Sequence, residues 1–254
     1  MRTSTVELTA DSARGRAARR TTAWIGGGLA AAAGLAGGLL APTDALQGQA
    51  QRLMYLHVPA AWVAYLAFVV VLAASGAYLV RADARWDAIA LAATEIGVVL
   101  TVLTLTTGAL WGHLVWGTWW AWDPRLVSTA LLLLVYAAAL ALRRALAERT
   151  GAPWHGDPTV ARPVAVLGIG GFLLVPVVHF SVRWWRSLHQ QATILAPERP
   201  PIDPRMALAL LLAVAAATVA ATWVLAHRVV RSQRRPDPAR APLRERRPVP
   251  ARVR

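Results

Sequence analysis

Cysteine is absent from the 254 residues. Its absence excludes disulfides, thiolate metal ligands and thioether attachment on this chain. Lysine is absent as well, so all 27 basic residues are arginine, and acids are few at 13. There is no GxSxG, no GxxxxGK[ST] and no HExxH, which removes the common serine-hydrolase, nucleotide-hydrolase and zinc-protease readings. With no thiol present, the six histidines are the remaining soft-metal ligands.

What the chain does contain is apolar surface. Hydrophobic residues make up 56% of it, too much for an ordinary soluble domain. The net charge of +14 suggests nucleic acid until its distribution is examined. The tails, 1–20 and 228–254, hold 15 of the 27 basic residues and four of the 13 acids. Basic tails flanking apolar spans read as cytoplasmic anchors facing anionic lipid, not as a nucleic-acid surface.

Six stretches are long enough to cross a bilayer: 22–41, 58–80, 88–110, 126–147, 162–181 and 205–227. The predicted fold is therefore an all-α integral membrane protein, a bundle of six transmembrane helices. A basic tail (1–21) precedes the membrane domain (22–227), and a disordered basic tail (228–254) follows it. An even number of spans puts both termini on one side. That side carries 21 arginines and the other six, so the termini are expected to be cytoplasmic. The connections 42–57, 111–125 and 182–204 then face outward. Asp123-Pro124 and Asp203-Pro204 read as an N-cap followed by proline in the first helical turn, and Pro59 could play the same opening role.

Thr94, Gly97, Thr101, Thr104 and Gly108 recur at three- and four-residue steps, a small-residue stripe suited to helix packing. Glu95 in the same span is either functional or a carboxyl paired with a neighbouring helix or reached by water. Gly168 to Gly171 lie inside a span and read as packing.

The outward side concentrates chemistry. Trp111, Trp116, Trp119, Trp120 and Trp122 fall within twelve residues, and Trp184 and Trp185 lie in the next outer connection. An aromatic belt explains isolated tryptophans but not five so close together. If 111–122 is helical, Trp116, Trp119 and Trp120 share a face, and the segment forms a shelf for a large planar ligand. His57, in YLHVPAAW, lies just outside the second span. His189 lies in VRWWRSLHQ and would share a face with Ser181 and Trp185 if the fifth helix continues. Two outward histidines beside a tryptophan shelf suit a porphyrin iron, which takes axial imidazoles. Arg52, Arg125, Arg183 and Arg186 are unranked candidates for its propionates. His179 reads as a satisfied helix-end histidine before a ligand or a donor to one, and His113 is a weaker candidate still. A quinone-type lipid binder remains an alternative.

WGTWWAWDPRL resembles the tryptophan-rich "WWD" signature of the haem-handling membrane proteins of c-type cytochrome maturation. With YLHVPAAW and HFSVRWWRSLHQ, the stretch from Leu53 to Arg205 is similar to the haem exporter protein C (CcmC) family. The resemblance implies a bacterial inner-membrane protein that is not an enzyme. It would hold haem b non-covalently as cargo, with His57 and His189 as axial ligands of the haem iron. It implies that Trp111, Trp116, Trp119, Trp120, Trp122 and Asp123 contact the haem, with Trp184 and Trp185 in the partner motif. Implied partners are haem, membrane lipid, a periplasmic haem chaperone (CcmE), ABC-type transporter subunits and a small single-span protein. Where the family often has Thr this chain has Val127, and where many members have an acid it has Arg183. Haem synthases that attach haem to apocytochrome c share the WWD signature and are the second reading.

Overall fold

In a computed structural model, residues 38, 40–189 and 202–233 are described. Among them there is no strand, only an isolated bridge between Asp44 and Gly48. A short 3-10 turn, Gln49–Leu53, leads into α1 (Met54–Arg81). The remaining helices are α2 (Ala84–Trp116), α3 (Pro124–Thr150), α4 (Pro158–Phe172), α5 (Leu174–Trp184) and α6 (Pro204–Gln233). Among the described residues, five spans are long and apolar enough to cross a membrane, with α4 and α5 together forming one of them. The expected span at 22–41 lies almost entirely outside the described residues.

Local chemistry sets the helix ends. Asp123 Oδ1 accepts from the Arg125 N–H and Asp203 Oδ1 from the Arg205 N–H, each with proline first in the helix. Asp157-Pro158 repeats the device at α4. Gly117 and Gly151 stop α2 and α3 in the left-handed conformation (φ 74° and 66°), which glycine enters without a Cβ penalty. Pro176 explains the interruption between α4 and α5. It lacks an N–H, and its ring crowds the carbonyl of Phe172 four residues earlier, so the chain tightens at Leu173, whose N–H reaches Gly170 O.

Four expectations change. Pro59 lies inside α1 rather than opening it, because the helix starts at Met54, and His57 is therefore helical. α2 runs on to Trp116, so the tryptophan segment is not one helical shelf: Trp119, Trp120 and Trp122 follow the Gly117 stop in an irregular connection. α5 ends at Trp184, and Trp185 is extended (φ −132°, ψ 159°). Ser181 is buried while Trp185 is exposed, so Ser181, Trp185 and His189 share no face. Residues 228–233 continue α6 instead of beginning a disordered tail; 234–254 lie outside the described residues.

α1 and α2 form an antiparallel hairpin, with α4 and α6 also against α1, and α3 against α4 and α5. The small-residue stripe faces inward as expected. A Cβ on Gly97 would lie 2.5 Å from Phe68 Cε1, so that glycine lets a phenyl ring fill the α1–α2 interface. Phe68 stacks on Tyr136 (centroids 3.9 Å apart, 12° between planes), and both are fully buried. The Tyr136 hydroxyl donates to Gly168 O, tying α3 to α4. At the end away from the 111–122 tryptophan segment, Arg143 and Asp87 form a buried two-pronged ion pair (3.0 and 2.5 Å). Arg143 also donates to Trp154 O, and Asp87 accepts from the Gly156 N–H. Glu95 pairs with Arg228 of α6, the helix-pairing reading of that acid. Large apolar side chains such as Val99, Leu134 and Val166 stay exposed, as lipid-facing positions should.

Candidate functional site

The tryptophan-bearing end holds a cavity of about 230 Å³. Three helices build its wall: α1 supplies His57 and Tyr65, α2 supplies Gly108, Trp111 and Trp116, and α3 supplies Arg125. His179 of α5 and His189 of the following turn complete it. The two histidines singled out in the sequence, 132 residues apart, thus line one space.

His57 sits in the first turn of α1. Its Nδ1 is 3.1 Å from Thr107 Oγ1. The Thr107 hydroxyl already gives its proton to Leu103 O at 2.7 Å. With the Thr107 hydroxyl turned to Leu103 O, Thr107 Oγ1 accepts from His57 Nδ1, and the Thr104 backbone carbonyl is a second acceptor for the ring. That leaves Nε2 with a free lone pair. The ring lies against Gly108, where a Cβ would come within 2.9 Å of Cε1. Trp111 meets it edge-on at 5.7 Å and is itself anchored by its Nε1–H donating to Gln47 Oε1.

His189 is placed by one carboxylate. Asp123 Oδ2 accepts from the Ser187 hydroxyl and the Leu188 N–H, both at 2.7 Å. Asp123 Oδ1 faces His189 Nδ1 at 3.1 Å and also caps α3. Burial alone would raise the Asp123 pKa, but the Ser187, Leu188 and Arg125 donors together leave it below the usual carboxylate range. An ionised carboxylate only accepts, so Nδ1 of His189 donates and Nε2 is again the free nitrogen. Burial depresses the His189 pKa, and although the Asp123 charge opposes this, the net shift is downward. Trp116 meets the His189 ring edge-on at 5.1 Å.

Of the four candidate arginines only Arg125 lines the cavity. Its Nη2 donates to His179 O, while Nε is buried and meets no acceptor among the described residues. Among the tryptophans, Trp62, Trp111 and Trp116 line the cavity, but Trp119, Trp120, Trp122, Trp184 and Trp185 do not. Trp119 stacks on His113 (4.1 Å, 9°), and Trp122 is 85% exposed. Sequence reasoning missed Thr107, Gly108, Tyr65 and Gln47. The small-residue stripe included Gly108 but gave no sign that an imidazole would lie against it.

The family model for haem exporter protein C (CcmC) matches residues 6–239. A haem exporter protein C of Bradyrhizobium diazoefficiens is 39% identical over 189 residues, 74% of this chain and 68% of that protein. One from Haemophilus influenzae is 36% identical over 174 residues, 68% of each chain. A ccmC-like mitochondrial protein of cytochrome c biosynthesis from Marchantia polymorpha is 34% identical over 155 residues, 61% of this chain and 62% of its own. The matched family and the motifs that build the cavity agree, and the chain belongs to the haem exporter protein C family.

Proposed function

We propose that the protein binds haem b non-covalently at the outer face of the bacterial cytoplasmic membrane. It then hands the haem to a periplasmic haem chaperone of the CcmE type for c-type cytochrome maturation. The observation that carries this reading is the pair of imidazoles lining one cavity, each with Nδ1 beside a neighbouring oxygen and Nε2 without a hydrogen-bond partner among the described residues. Iron in a porphyrin takes two such nitrogens along one axis. Arg125 supplies the cation for a propionate, since its Nε is buried and lacks an acceptor.

The cavity, at about 230 Å³, is smaller than the roughly 300–1,000 Å³ usual for drug-sized ligands. A metalloporphyrin would therefore stand with one edge outside. The exposed Trp119, Trp120 and Trp122 flank the entrance-side connection and provide aromatic surface for that edge and for the chaperone. His57 and His189 hold the iron, Trp111 and Trp116 flank the two imidazoles, and Asp123 orients His189. The protein acts as a carrier rather than an enzyme: transfer needs only that an incoming ligand replace one axial imidazole. ABC-type transporter subunits and a small single-span protein would assemble with it in the membrane.

The test is an absorption spectrum of the detergent-purified protein. A Soret band with six-coordinate character is expected. His57→Gly or His189→Gly should weaken it, and His155→Gly should not. A protein that purifies without any Soret band, or three variants with equal effects, would defeat the reading. Coexpression with apocytochrome c alone separates the synthase alternative, which would yield covalent cytochrome without the chaperone.

A further inference from the structure

The three helices that line the cavity also line a second, much smaller space at the other end of the bundle. It measures about 10 Å³ and lies among Val71, Ser75, Thr94, Ala139 and Arg143. Between the two spaces is a packed layer. Along α1 the order is Tyr65, Phe68, Val71; along α2 it is Thr101, Gly97, Thr94; along α3 it is Leu132, Tyr136, Ala139. The first of each trio lines the cavity and the last lines the small space. The middle members are the Phe68–Tyr136 stack and the glycine pressed against it. Ala93, Val175 and Val178 close the same layer. Beyond it the Asp87–Arg143 pair, with Trp154 O and the Gly156 N–H attached, forms a second seal.

We infer that the cavity has one mouth. Cargo enters and leaves at the end that bears Trp111 and Trp116, and no route through the five described spans joins that end to the other. From Gly108, beside His57, to Gly97, beside Phe68, is roughly 16 Å of helix at 1.5 Å per residue. A planar macrocycle would have to part the Phe68–Tyr136 stack and then the buried ion pair, which a close-packed interior resists. The protein's place in a reaction sequence follows. Where the ligand is haem, as proposed above, a separate transbilayer movement of haem must supply this site. The protein receives haem already delivered to its own side of the membrane.

The cysteine-free chain allows a direct test with single cysteines in right-side-out and inverted vesicles. A small charged methanethiosulfonate is the probe. Leu105→Cys, in the cavity wall, should react from the mouth side, and Thr150→Cys, at the far end of α3, only from the opposite side. Thr94→Cys, one turn past Gly97, should react from the mouth side at least about tenfold more slowly than Leu105→Cys, as expected behind a close-packed layer. Equal rates for the two would overturn the inference. Adding Phe68→Ala should raise the rate at Thr94→Cys; no change in a folded protein would refute the septum. Prior addition of haem should protect Leu105→Cys. Lack of protection would count against haem as the ligand while leaving the one-mouthed cavity standing.

Discussion

Thr107 carries no charge and need touch no ligand, yet together with the Thr104 backbone carbonyl it favours the His57 tautomer with the proton on Nδ1. Its own hydroxyl hydrogen is spent on Leu103 O, so the imidazole must donate to it. Thr107→Val removes that acceptor, leaves only the Thr104 carbonyl to hold the ring and loosens its tilt. Loss of such an outer partner costs about 10–100-fold in metal affinity, and a weakening in that range is expected when haem is titrated into the purified variant. Gly108→Ala acts by shape. Its Cβ would stand 2.9 Å from His57 Cε1, and the ring must move, so the Soret band should fall as far as in His57→Gly while the protein remains folded. On the other side, Asp123→Asn keeps a side chain that can cap α3 but loses the charge behind His189. Titration should again show about 10–100-fold weaker haem binding, whereas Asp203→Asn, which alters a cap with no histidine attached, should bind normally.

The same residues give a pH dependence with a definite sign. The His189 pKa lies below its ordinary value because of burial. The neutral, ligand-competent form therefore persists at pH 6.5, where a free imidazole is about half protonated. In the apo-protein the unfolded chain binds the proton more readily than the folded one. Stability from this group is then present above pH ~6.5 and is lost as pH falls toward the folded pKa. An apo-protein melting series from pH 8 to 5 should be flat at first and decline below about 6.5. Asp123 works against the downward shift, so Asp123→Asn should drive the His189 pKa lower still, readable as an imidazole resonance titration.

At the scale of elements, most helices were legible because their signals are local. Apolar length announces a span, and aspartate followed by proline announces a start at α3 and α6. What was not legible depends on neighbours. Pro59 looks like an opener because proline favours first turns, but the chain before it, from Met54, is already helical. The tryptophan segment looks like one helix because its aromatic spacing allows it, but Gly117 takes a left-handed conformation and ends α2. His57 and His189 were legible as a pair through their motifs. Thr107 and Gln47 were not, since a threonine in a span and a glutamine in a connection carry no chemical signature until folding sets them beside a ring. The interruption at Leu173 also bears on the site, because it sets the direction in which α5 delivers the turn holding His189. Pro176 stands in the first turn of α5, where proline is tolerated, and Pro176→Ala restores a donor that would let α4 run on into α5. The variant is expected to melt no lower than the parent yet to bind less haem, since a straightened α4–α5 re-aims His189. Parallel melting and Soret measurements on one preparation would show the two effects diverging.

Across the whole molecule, the two ends use polar groups in opposite ways. At the tryptophan-bearing end, polar atoms are left open toward a cavity: the free nitrogens of two imidazoles and the buried Nε of Arg125. At the other end most of them close on one another: Arg143 and Asp87 are each 1% exposed and bonded in turn to the α3–α4 connection, and only Arg143 Nε is left without an acceptor among the described residues of that pair. Stability and ligand binding should then separate by mutation. Asp87→Ala leaves the Arg143 charge buried with no carboxylate, which typically costs about 3–5 kcal/mol. A marked drop in melting temperature is expected. Haem bound per folded molecule should not change, because the Phe68–Tyr136 layer lies between the ion pair and the cavity. Replacing both partners, as in Asp87→Leu with Arg143→Met, removes the stranded charge and should recover part of the loss. Recovery cannot be complete, since Trp154 O and the Gly156 N–H lose their partners. If Asp87→Ala instead lowered haem per folded molecule as much as it lowered stability, the two ends would be coupled through the bundle, and the division between an open end and a sealed end would fail.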